Sequence, residues 1–112
     1  MNQTFVIDGE ELVLRDDPIP PGTPYEHRCT RNEFERVALA IAGAPAGITL
    51  GEIRAATNVQ WMEIATGLAL LKARGLVEVT PTRLFIPAPG VADLHADAIA
   101  IYHALRGVAQ PG

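Results

Sequence analysis

Residues 49–77 read Thr49-Leu50-Gly51-Glu52-Ile53-Arg54-Ala55-Ala56-Thr57-Asn58-Val59-Gln60-Trp61-Met62-Glu63-Ile64-Ala65-Thr66-Gly67-Leu68-Ala69-Leu70-Leu71-Lys72-Ala73-Arg74-Gly75-Leu76-Val77. Thr49 and Glu52 have the spacing of a capping box, in which each side chain satisfies the other residue's free backbone donor. A short helix with Ile53 and Ala56 inward is expected to follow. It breaks at Thr57-Asn58-Val59, because asparagine tolerates a left-handed backbone better than any residue but glycine. A third helix then runs from about Gln60 to Arg74, with Ile64, Leu68 and Leu71 on its core side. Gly75 suits the position just past a helix end, and Leu76 can fold back on the last turn. Lys72 and Arg74 complement the dipole there.

Upstream, Thr30-Arg31-Asn32-Glu33 is a second capping box. Phe34, Val37, Ala38 and Ile41 follow at i, i+3, i+4 and i+7, a single buried stripe. Gly43, Pro45 and Gly47 end that first helix. Downstream, Leu76 to Thr80 and Arg83 to Ile86 alternate as two strands around a tight turn at Pro81-Thr82. A final helix, about Val91 to Arg106, carries the seam Val91, Leu94, Ala98, Ile101 or Tyr102, and Leu105. Near the start, Asp8-Gly9 predicts a two-residue type I′ hairpin with Phe5 opposite Leu12 and Ile7 opposite Glu10. Since a lone hairpin is marginal in water, it should rest on the helices or on a second subunit. Prolines 18, 20, 21 and 24 favour an extended linker. The predicted organisation is therefore a β-hairpin over 1–16, a proline-rich linker over 17–29, a helical domain over 30–90 and a helix over 91–112.

The totals narrow the class. A chain of 112 residues suits one hydrophobic core, and 48% apolar with 20% charged residues argues against global disorder. No uncharged run approaches the roughly 20 apolar residues of a membrane span, and no basic segment followed by an apolar run marks a secretory signal. The lone Cys29 fits a reducing cytoplasm. Net charge is −4, and residues 1–26 hold six carboxylates against Arg15. The rest is nearly neutral, whereas a dedicated nucleic-acid binder usually shows a basic face.

Helix, short helix, turn, helix and β-hairpin is the winged helix-turn-helix order, an α+β fold. Leu68, Leu71, Gly75, Leu76 and Val77 resemble the leucine-x-x-leucine-x-x-x-glycine-leucine-valine ending of the recognition helix in MarR-type and ArsR-type bacterial repressors. Phe85-Ile86-Pro87-Ala88-Pro89-Gly90 is similar to the exit from the wing in MarR-type proteins. The likeness covers about 60 of the 112 residues. It implies a DNA-binding transcriptional regulator acting as a homodimer, with the third helix in the major groove. The residues placed to meet duplex DNA are Gln60, Trp61, Thr66, Arg54 and Arg83, and the dimerising seam would be Leu94, Ile101, Tyr102 and Leu105.

The matching positions also depart from a DNA reader. Glu63 repels phosphate, no cation appears on the third helix before Lys72, and the wing retains only Arg83. The competing reading is a protein-interaction module or accessory subunit anchored by Trp61 and Met62, residue types enriched in interface cores. A continuous positive face from Arg31, Arg54, Lys72, Arg74 and Arg83 would favour DNA, and an apolar patch around Trp61 would favour protein. In each case the bland alternative is ordinary solvated surface, or a seam that closes the monomer core. His27-Arg28-Cys29 lacks the spacing of zinc ligands, and Asp93, His95, Asp97 and His103 do not converge on one helix face. With no phosphate loop, nucleophile elbow or paired-carboxylate motif, neither an enzyme nor a metal or cofactor is expected.

Overall fold

The computed structural model describes residues 2–17 and 25–109. In chain order the elements are β1 (Asn2–Asp8), β2 (Glu11–Asp17), β3 (Tyr25–Thr30), α1 (Arg31–Ala42), α2 (Leu50–Thr57), α3 (Trp61–Ala73), β4 (Val77–Val79), β5 (Phe85–Pro87) and α4 (Leu94–Ala109). Both capping boxes form. The Glu33 amide donates to Thr30 Oγ1 at 3.1 Å while the Thr30 amide donates to Glu33 Oε1 at 2.8 Å. Thr49 and Glu52 repeat the arrangement at 2.9 and 3.1 Å. Between α2 and α3, Asn58 adopts φ 57° and ψ 28°, and its amide donates to the Arg54 carbonyl. The buried Thr57 hydroxyl donates to the Ile53 carbonyl at 2.7 Å and accepts from the Val59 amide at 3.2 Å. Ala56, expected inward, is exposed, because the inward face of α2 is set by Ile53 and Thr57, four residues apart. α3 closes in a Schellman motif: Gly75 sits at φ +72°, Leu76 donates to the Leu71 carbonyl and Gly75 to that of Lys72.

β4 and β5 pair antiparallel, and Ile48 adds a short third rung by exchanging both backbone bonds with Phe85. The turn differs from expectation. Arg83 opens no strand; it lies in a three-residue loop, Pro81-Thr82-Arg83, closed by the Thr80 amide on the Leu84 carbonyl at 2.8 Å. Arg83 takes φ +66°, the left-handed residue that follows a type I turn in loops of this length.

The first hairpin is displaced from its predicted register. Ile7 faces Leu12 and Phe5 faces Leu14, with Gly9 and Glu10 as the loop and Gly9 at φ +65°. Glycine at the first loop position is the type II′ signature. This register sets apolar side chains opposite one another, where the predicted one set Ile7 against Glu10. β3 lies within the stretch expected to be linker, of which residues 18–24 fall outside the described residues. It completes an antiparallel sheet in the order β1-β2-β3. Its Cys29 pairs with Leu12 and joins the core, while Arg28 opposes Val13 on the other face. On that outer face Arg28 meets Asp8, Glu11 and Glu26 at 3.2–3.3 Å and Arg15 meets Glu26 at 2.6 Å. Val13 beneath them is wholly buried.

α4 starts later than expected. Gly90 at φ +88° and a turn bond from Val91 to Ala88 delay it, and Asp93 caps it by accepting from the Ala96 amide at 3.0 Å. The helix packs along α1 and reaches the first hairpin. Tyr102 is fully buried with its ring 6.3 Å from that of Phe34, and its hydroxyl donates to the Glu10 carbonyl at 2.8 Å. Arg106 meets the Glu10 carboxylate at 3.3 Å. Leu94 and Tyr102, expected at a partner interface, are thus core residues, and Ile101 and Leu105 pack half-buried against the same core.

Two stability predictions follow from these contacts. Asn58→Val should cost about 1–2 kcal/mol by urea unfolding, because a β-branched residue is strained in the left-handed region, and Asn58→Gly should be close to neutral. Burial, reinforced by the Glu10 carboxylate, raises the Tyr102 phenol above its ordinary 10.0. The folded state then holds that proton more tightly than the unfolded chain. Its contribution is whole below pH 10 and is lost as pH climbs further. Tyr102→Phe should remove about 1 kcal/mol at pH 7 and flatten part of the alkaline decline. An unchanged alkaline slope in the variant would contradict the assignment.

Candidate interaction surface on the third helix

α3 is covered through more than half its circumference. Ile64, Leu68 and Leu71 are buried on the side of the helical core, and Gly67 sits so close to Phe34 that an added Cβ would lie 3.3 Å from its ring. Thr66 and Leu70 are buried on the adjoining flank, and α3 packs there against β3. Two further residues mark this flank. The Glu63 carboxylate helps raise the Cys29 thiol, whose main cause is burial, and the Arg74 guanidinium lies 5.8 Å from the Phe5 ring centroid. The arc left to solvent holds Trp61, Met62, Ala65, Lys72 and Ala73, with Ala69 half-buried among them. Trp61 is 47% and Met62 50% exposed.

At the head of this strip Arg54 of α2 is held in place. Its Nη2 donates to Gln60 Oε1 at 3.0 Å, and its guanidinium carbon stands 4.9 Å from the centroid of the Trp61 ring. A cation over an indole face is attracted by the ring quadrupole, by about 0.5–1 kcal/mol at an exposed site. Gln60 occupies the N-cap position of α3 without a side-chain capping bond. Three of the residues expected to meet DNA, Arg54, Gln60 and Trp61, are therefore neighbours, and Arg83 lies apart in the wing turn. Thr66 is a correction. It is 0% exposed and its hydroxyl donates to the Met62 carbonyl at 2.9 Å, so no atom of it reaches a base edge. The burial of that flank was signalled by Leu70, which lies off the predicted stripe and leaves α3 apolar around most of its surface, the mark of a helix buried on more than one side.

Of the five cations whose continuous face would favour DNA, two are turned to aromatic rings of this chain. Arg31 lies 5.7 Å from the Tyr102 centroid and Arg74 lies over Phe5, each across a ring of this chain. Arg15, Arg28 and Arg106 are paired with carboxylates, and Arg36 donates to the Thr57 carbonyl. Among the described residues no group of three or more histidine, cysteine or acidic side chains is placed to hold a metal ion, and no helix is long and apolar enough to cross a membrane. His95 faces Glu35 at 3.2 Å, and Asp93 serves as the cap of α4.

The three-helix core, the β4–β5 ribbon and its Ile48 rung together define a winged-helix-like α+β domain with an added sheet and a fourth helix. No protein-family model, curated protein or solved structure matches the chain. The architecture supports the winged-helix class in general and no particular repressor family within it.

Trp61 is the only tryptophan, so tryptophan fluorescence, excited selectively away from Tyr25 and Tyr102, reports on this surface alone. With each ion normalised to its quenching of free tryptophan, iodide should quench it more strongly than caesium because Arg54 concentrates anions at the ring, and Arg54→Ala should cut iodide quenching by about twofold. Equal quenching by the two ions in the wild-type protein would show that Arg54 does not stand over the ring in solution.

Proposed function

We propose that this chain is a non-catalytic winged-helix docking module that binds a protein partner through the outward strip of α3. The observation carrying this reading is the pair Trp61 and Met62, both about half exposed on a helix whose other large apolar side chains are buried against α1 and β3. Contiguous apolar surface on a packed domain marks interaction sites; Trp61 and Met62 adjoin, whereas the other exposed large apolar residues, Leu39, Leu50 and Val79, lie on α1, α2 and β4, and tryptophan is among the commonest energetic anchors of interfaces. Ala65 and Ala69 continue the strip without charge. Electrostatics favour the same reading. The net charge is −4, and most cations are engaged within the chain, whereas duplex binding is driven by available Lys and Arg that neutralise phosphates and release the counterions condensed on them. The reading needs no second copy.

A second reading, a duplex-binding transcriptional regulator, draws support from Arg54 and Gln60 at the head of α3 and from Arg83, which makes no ion pair among the described residues. Retention on mixed duplex DNA at low salt separates the two. The docking reading expects retention no better than that of an acidic control protein. The regulator reading expects clear retention, weakened by both Gln60→Ala and Arg83→Ala, and that result would displace the proposal.

A further inference from the structure

The outward strip of α3 is framed by charge, and this bears on what docks there. Arg54 stands at its start, against Trp61, and Lys72 stands exposed toward its end. Lys72 lies eleven positions beyond Trp61, a rise of about 16.5 Å along the helix. Between them Met62, Ala65 and Ala69 carry no charge, and the acid of this stretch, Glu63, is half-buried on the covered flank with Oε2 out of solvent. Arg54 is bonded to a neutral amide, and Lys72 makes no ion pair among the described residues. By contrast, Arg15, Arg28 and Arg106 are neutralised by carboxylates of β1, β2, β3 and the first hairpin turn. The strip is therefore apolar along its length, cationic at both ends, and not compensated from within.

We infer, building on the docking reading, that the partner supplies an amphipathic helix with carboxylates flanking its apolar face about three turns apart. Ala65 and Ala69 let a second helix approach closely, since interaxial distance is set by the side chains at the contact. Trp61 and Met62 form a raised end against which its apolar residues pack. One carboxylate meets Arg54 and the other meets Lys72. Complementary charge of this kind selects partner and register more than it adds raw affinity.

The test is selection of displayed peptides of about 20 residues, long enough to span the strip with a turn to spare, on the full chain. Recovered peptides are then measured against Ala65→Glu and against the Arg54→Ala/Lys72→Ala double variant, both confirmed folded by circular dichroism. The expected binders carry an apolar stripe with Asp or Glu on both flanks, fail on Ala65→Glu, and lose about tenfold in affinity on the double variant. Binders that fail on Ala65→Glu yet carry basic or neutral flanks and ignore the double variant would overturn the inference about the partner and leave the docking reading standing. Recovery of no peptide sensitive to Ala65→Glu would overturn both. A DNA duplex of about 20 base pairs run alongside, bound by the wild type and released by the double variant, would assign the surface to nucleic acid instead.

Discussion

The packing of α3 between α1 and β3 sets the terms for the rest of the molecule. Ile64, Leu68, Leu70 and Leu71 are almost wholly removed from water, each contributing roughly 1.5–3 kcal/mol by burial alone. That is large against the 5–15 kcal/mol by which domains of this size are stable. Helices α1 and α2 can cover only one side of α3, so Thr66 and Leu70 require a second surface, which the first three strands supply. α4 in turn holds those strands through Tyr102 and Arg106 on Glu10. The added sheet is therefore a structural complement to an unusually apolar third helix, and the narrow strip still open to solvent is what remains after both sides are covered.

What was readable in the sequence and what was not divides by distance along the chain. Capping at Thr30 and Thr49, the bend at Asn58 and the stop at Gly75 each depend on groups within about five residues, and all four formed as read. The hairpin register was misread because Asp8-Gly9 is a strong local signal, yet pairing apolar partners across β1 and β2 outweighed it. β3 was missed because its outward positions are Glu26 and Arg28, charges that belong to a lattice completed by Arg15, Asp8 and Glu11 far away in sequence. The same limit applied to the surface. Gln60, Arg54 and Trp61, all close in sequence, come together at the head of α3, but the burial of Thr66 depends on β3, and the fate of Leu94 and Tyr102 depends on α1 and the first hairpin.

Charge placement explains why this domain looks unlike a nucleic-acid reader despite its layout. Most of its arginines are engaged in holding the chain together: Arg28 and Arg15 over Val13, Arg106 at Glu10, Arg31 and Arg74 across aromatic rings, Arg36 at the end of α2. Such arginines cover apolar surface with their stems as much as they neutralise acids. The positive charge left over sits near the third helix and the wing turn, sparse and separated by apolar surface. That pattern suits recognition of a shaped, partly apolar partner better than the tracking of a uniform phosphate backbone.

The Tyr102 bond to Glu10 joins residues 92 positions apart. Contacts of that span are made late in assembly, since a long loop must be ordered before they give any return. Until α4 is in place, the hairpin is held only by β3, α1 and α3, and the Glu10 carbonyl lacks the Tyr102 hydroxyl. Docking of α4 thus works as a latch: it ties the two ends of the chain together and fixes the sheet that lies against α3.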